Sequence, residues 1–117
     1  MNKEKYAEYK QKMQGLESYL DELQEKHQSV LEAINAVKDM TSIEGPRTTL
    51  VPLVDGIFIE AQLEHVTFKV NVGEGVLTKK KPDNLVSLLE NRLEDVEKQM
   101  TTVENQLMSL YEEIQSL

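Results

Sequence analysis

The stretch "VNVGEGVL", residues 70–77, decides how the middle of the chain folds. It admits two readings: a glycine loop that cradles a phosphate, or a turn between two strands. A dinucleotide fingerprint needs a third glycine three residues after the second and a helix opening at once. Position 78 is Thr78, helix signals begin only near Pro82, and Glu74 between the glycines would repel a phosphate. The turn reading fits its surroundings. Val66, Phe68, Val70 and Val72 alternate with Thr67, Lys69 and Asn71, the period of a strand with one buried face. Gly73 and Gly75 then supply the positive φ angles that reverse the chain.

The same alternation extends upstream, where Ile57, Ile59, Ala61 and Leu63 are interleaved with Phe58, Glu60 and Gln62. Four strands are predicted, about 48–53, 57–63, 66–72 and 76–80, with turns at Asp55-Gly56, Glu64-His65 and Gly73-Glu74-Gly75. They form two consecutive hairpins. Four short strands cannot cover both their faces and their edges, so pairing with further strands, and hence an oligomer, is expected. Lys79-Lys80-Lys81 closes the last strand and reads either as a solvated edge or as a surface for an acidic partner.

Flanking this segment, the period changes to that of a coiled coil. Before it, Tyr6, Tyr9, Met13, Leu16, Leu20, Leu23, His27, Val30, Ile34 and Val37 recur in alternating steps of three and four, ahead of a Gly45-Pro46 stop. After it, Val86, Leu89, Leu93, Val96, Met100, Val103, Leu107, Leu110, Ile114 and Leu117 repeat the pattern. Pro82 suits a first-turn position and Asp83 is the expected cap. Folding the chain back so that Val37 meets Val86 brings every later layer into step, with His27 opposite Val96, Tyr9 opposite Ile114 and Tyr6 opposite Leu117. Two unrelated seams have no reason to match this way, so the arms are read as an intramolecular antiparallel hairpin. Gly15 softens the first arm by about 1 kcal/mol relative to Ala. The domain reading is 1–43 as an N-terminal coiled-coil helix, 44–81 as a β-hairpin head and 82–117 as a C-terminal coiled-coil helix, all within one structural domain.

Composition narrows the function. Of 117 residues, 39% are apolar and 29% charged, with no Trp and two Phe, a mixture that favours long solvated helices over a large core. The absence of Cys excludes disulfides and thiolate chemistry. The net charge of −8 argues against nucleic acid, whose phosphates require basic footprints. Residues 1–43 carry 8 acids and 6 bases, 44–81 carry 5 and 5, and 82–117 carry 8 and 2, so the acidity belongs to the last arm. No apolar run approaches the roughly 18 to 20 residues that span a bilayer, and the N-terminus leads into no signal-peptide core. The expectation is a cytoplasmic protein that binds neither nucleic acid nor membrane.

Helix, two β-hairpins, helix, with "LVPLVDGIFIEAQL" and "VNVGEGVLTKKKPDNLVSLLENRLEDVEKQM" in place, closely resembles the alpha-class prefoldin subunits. Leu50-Val51-Pro52 matches the family's first strand and Val72-Gly73-Glu74-Gly75 its glycine turn. The match in motif covers about residues 49–97, the arms agreeing only in length and period. Beta-class subunits carry one hairpin, so the second hairpin points to the alpha class. The chain departs from the pattern at Val76-Leu77-Thr78-Lys79-Lys80, at Val54, and in having no tail past Leu117.

The resemblance implies an α+β chain in which a long antiparallel helical coiled-coil hairpin carries two central β-hairpins that join an intersubunit β-barrel. It implies an ATP-independent co-chaperone: a hexamer of two alpha-type and four beta-type subunits that holds nonnative client proteins at the coiled-coil tips and passes them to a group II chaperonin. The alternative is a structural coiled-coil scaffold or a filament-forming relative without client transfer. Val51, Leu53, Ile57, Phe58, Ile59, Phe68, Val70 and Val72 are assigned to barrel packing and subunit contact, and a charge at Phe68 is expected to abolish co-assembly.

Client binding needs apolar, adaptable surface, which Tyr and Met side chains offer. At the free end of the arms this selects Tyr6, Tyr9, Met13, Leu16, Tyr19, Leu107, Met108, Leu110, Tyr111, Ile114 and Leu117. Tyr19, Met108 and Tyr111 are favoured because they lie off the seam. No enzyme is expected, and no catalytic residue, cofactor or metal: His27 and His65 fall on different elements, and the many Asp and Glu read as solvated helix faces. Protonation of His27 against Val96 is expected to loosen the coil locally.

Overall fold

The computed structural model describes residues 3–42, 46–63 and 67–117. The predicted Glu64-His65 turn, the start of the third strand at Val66, and Gly45 lie outside the described residues. The element order is α1 (Lys3–Thr41), β1 (Arg47–Val54), β2 (Ile57–Leu63), β3 (Phe68–Asn71), β4 (Leu77–Lys80) and α2 (Pro82–Gln115). Contacts divide the chain into two units, Met1–Ala33 with Leu89–Leu117, and Ile34–Leu88.

In the first unit α1 and α2 pack along the predicted seam. Leu23, Val96, Val103 and Leu107 form the buried cluster, and Met13, Leu16, Leu20 and Met100 pack against it. Val96, at 2% exposure, is the most deeply buried of them. Two polar contacts between the arms fix the register independently. His27 Nε2 lies 3.1 Å from Glu97 Oε1, one residue from the Val96 expected opposite it. Tyr9 hydrogen-bonds Glu113, one residue from the expected Ile114. The helices are therefore antiparallel in the predicted register. Glu97 thus stands beside His27, where the seam pattern alone placed Val96.

The second unit carries two separate two-stranded antiparallel sheets, β1-β2 and β3-β4. In β1-β2 the residues pair from Arg47 with Leu63 through Val51 with Ile59 and Pro52 with Phe58 to Val54 with Ile57, with a bulge between Pro52 and Val54. The two-residue connection has φ of 47° at Asp55 and 76° at Gly56. Positive φ at both positions defines the type I′ turn, whose twist matches that of the flanking strands.

The turn between β3 and β4 is longer than the sequence indicates. Gly73, Glu74 and Gly75 all have positive φ, 131°, 50° and 77°. Asn71 Oδ1 accepts from the Gly73 amide at 2.9 Å, the Val72 amide bonds the Val76 carbonyl, and the Val76 amide bonds the Gly73 carbonyl. Val72 and Val76 thus close the turn, and the strands are Phe68–Asn71 and Leu77–Lys80 instead of the predicted 66–72 and 76–80.

Helix ends follow local chemistry. The Leu85 amide donates to the Lys81 carbonyl at 2.9 Å, which makes Lys81 the N-cap and Pro82 the first helical residue, where its missing amide costs nothing. Asp83 is therefore not the cap. It stands inside the first turn, where its charge complements the helix dipole. At the other boundary, Ser42 Oγ donates to the Asp39 carbonyl, an acceptor that the last turn of α1 leaves open, while Thr41 Oγ1 adds a further donor to the Val37 and Lys38 carbonyls. Ile34, Val37 and Leu85 are buried in this unit. Leu85, not the predicted Val86, is the deeper residue at the start of α2.

Candidate functional site

The hairpin β1-β2 exposes apolar side chains on both faces. Residues paired across an antiparallel ladder share a face, so Val51 and Ile59 stand together, as do Pro52 and Phe58. Leu50, Val51, Leu53, Val54, Ile57, Phe58 and Ile59 are all between 44% and 62% exposed. Contiguous apolar surface of this kind marks a contact site on a folded chain, and an isolated two-stranded hairpin is marginal in water. In β3-β4 the two faces differ: Phe68, Val70, Thr78 and Lys80 are half-buried, while Lys69, Asn71, Leu77 and Lys79 are exposed. The assembly candidates Val51, Leu53, Ile57, Phe58, Ile59 and Val72 are thus all open to solvent, whereas Phe68 and Val70 are already partly covered within the chain. Leu50, Val54, Val76 and Leu77, which are not among the sequence candidates, are equally open. Leu50 shares the face of Pro52 and Phe58, and Val76 lies in the turn.

At the end of the helical unit that holds both termini, the client-binding candidates separate into two groups. Leu107 belongs to the core, and Met13 and Leu16 pack against it; Tyr9, Leu110 and Ile114 are half-buried. Tyr19, Met108 and Tyr111, the candidates placed off the seam, are 43%, 61% and 49% exposed. Tyr6 and Leu117, expected to face each other in the last layer, are also exposed. A groove of about 700 Å³ opens beside Gly15, lined by Lys12, Leu16, Asn105, Gln106 and Leu110 among others. A Cβ at Gly15 would meet nothing within 4 Å.

The Glu113 carboxylate, then partial burial, the hydrogen bond to Glu113, and Glu8 hold the Tyr9 phenol above its ordinary value of 10.0. A raised folded-state pKa contributes stability that is complete below about pH 10 and is lost as pH rises through the folded value. The stability advantage of the native chain over Tyr9→Phe is therefore expected to be present at pH 8 and to shrink as pH rises above 10. Urea midpoints across this range measure it, and a difference that stays constant would show that the Glu113 contact contributes nothing.

Among the described residues, no helix is long and apolar enough to cross a membrane, and no group of three or more His, Asp or Glu side chains is placed to hold a metal ion.

Comparison with known proteins converges on one family. Residues 9–117 match the family described as prefoldin subunit. The chain is 32% identical over 89 residues to the prefoldin subunit alpha of Thermofilum pendens, covering 72% of this chain and 68% of that one. It is 26% identical over 95 residues to the prefoldin subunit alpha of Methanococcus maripaludis, covering 80% and 66%. Its fold superposes with a TM-score of 0.82 on a chain from the cryo-EM structure of filamentous PFD from Methanocaldococcus jannaschii, at 17% identity and covering 98% of this chain and 96% of that one.

Proposed function

The chain belongs to the prefoldin alpha-subunit family, a family of non-enzymatic chaperone subunits, and from that premise we propose that it is one component of an ATP-independent co-chaperone in the cytoplasm. Its hairpins join beta-type subunits, in a hexamer of two alpha and four beta chains, and its helical ends hold nonnative proteins for transfer to a group II chaperonin. The observation that carries the assembly half of this reading is the β1-β2 hairpin, apolar on both faces and uncovered within the chain. Such a hairpin is completed by strands from neighbours.

The client half rests on Tyr19, Met108 and Tyr111, which are exposed while the seam beside them is packed. Unbranched and amphipathic side chains adapt to irregular apolar partners, and the acidic residues of α2 keep such surface in solution. The triple variant Tyr19→Ser, Met108→Ser, Tyr111→Ser is expected to suppress aggregation of a denatured client several-fold less well than the native chain, with assembly and helical content unchanged. Light scattering on the assembled complex reads this out, and full protection by the variant would remove these residues from the client site.

A second reading follows from the likeness to a chain of a filamentous assembly: the arms act as spacers in a polymer and hold no client. Open-ended polymers without aggregation suppression would favour it.

A further inference from the structure

Lys69 and Lys79 are direct partners across the β3-β4 ladder, so their side chains rise from the same face. Both are exposed. Among the described residues neither has a carboxylate within ion-pair distance. Like charges placed directly opposite weaken a two-stranded ladder, and a chain with a net charge of −8 has acids in abundance to relieve them. Yet its strands carry Arg47, Lys69, Lys79 and Lys80 against Glu60. A solitary lysine is the usual protection of an open edge; two lysines in register go beyond that need.

We propose that this face of β3-β4 selects, as its docking partner, a β-strand of a different subunit bearing Asp or Glu at alternate positions. This rests on reading the hairpins as assembly surfaces, and names the chemistry of the strand they accept. Among the described residues each of β3 and β4 has one ladder neighbour, so outer-edge amides and carbonyls remain to bond an added strand. Alternate side chains of that strand project to the lysine face, where acids neutralise the Lys69-Lys79 pair. A second copy of this chain is a poor occupant: its own β3-β4 would repel, and Glu60 stands isolated in β2 with no acid at the alternate positions 58 and 62.

The test uses the full chain and labelled eight-residue peptides of alternating Thr and Glu, Thr and Gln, or Thr and Lys, with polyglutamate and oligothymidine as controls. In fluorescence anisotropy at about 50 mM salt, the Thr-Glu peptide is expected to bind about tenfold tighter than Thr-Gln, a gap that narrows at about 500 mM. The gap should vanish in Lys69→Gln/Lys79→Gln and turn in favour of Thr-Lys in Lys69→Glu/Lys79→Glu. Equal binding of Thr-Glu and Thr-Gln overturns charge selection. Polyglutamate or oligothymidine matching Thr-Glu overturns strand addition in favour of simple attraction to polyanions. Chains that co-assemble yet show no charge preference sink this inference alone, whereas chains that never assemble sink the reading beneath it.

Discussion

Ile59→Glu is expected to stop the chain from joining its partner subunits while leaving the helices folded. Ile59 stands beside Val51 on one face of the β1-β2 hairpin and is 49% exposed in the isolated chain. A glutamate there costs the free chain little, since exposed substitutions stay within about 0.5 kcal/mol. Covered by a neighbouring subunit, the same carboxylate would be desolvated without a partner, at about 3–5 kcal/mol. Each 1.4 kcal/mol is about tenfold in affinity, so assembly should weaken by roughly 100-fold or more. Ile59→Leu, which conserves volume and polarity, should assemble normally. Size-exclusion chromatography with a beta-type subunit gives the readout; co-elution of Ile59→Glu at native levels would show that this face is not a subunit contact.

Leu23→Ala is expected to have the largest effect on stability. Leu23 is 4% exposed and shares its cluster with Val96, Val103 and Leu107. A two-helix unit has no second layer to collapse into the space left behind, so the loss belongs near the middle of the range for buried Leu→Ala, about 3 kcal/mol. In a unit of this size that corresponds to a fall in Tm of roughly 10–20 °C. Thermal melting followed by helical circular dichroism measures it. A shift of only a degree or two would mean that the seam does not hold the arms together.

The helical register was legible because it was over-determined. Ten seam positions on each arm, all but His27 apolar or aromatic, match in one register, and the His27-Glu97 and Tyr9-Glu113 contacts fall where that match places them. The Asp55-Gly56 turn was legible for a similar reason, since few residue pairs accept two positive φ angles. Element ends were not. Val72 and Val76 alternate like strand residues, yet three successive positive-φ residues pull them into the turn. Asp83 is a good cap by type, but Pro82 as first helical residue moves the cap back to Lys81.

At the candidate surfaces, strand alternation located Val51, Ile57 and Ile59 and, on the reverse face, Phe58, but not Leu50 on that same reverse face. The sequence-based choice of Phe68 for a disruptive charge is weakened by the same geometry: Phe68 is half-buried in its own chain, so a charge there disturbs folding as well as contact. The pairing of Lys69 with Lys79 needed the register of the ladder, which residue types alone do not specify.

Native mass spectrometry of this chain co-expressed with a beta-type prefoldin subunit tests most directly whether the exposed hairpins are an assembly platform. A single discrete complex containing both chains, two of this one and four of the other, is expected. A chain that remains monomeric beside its partner, with its hairpins uncovered, would contradict it.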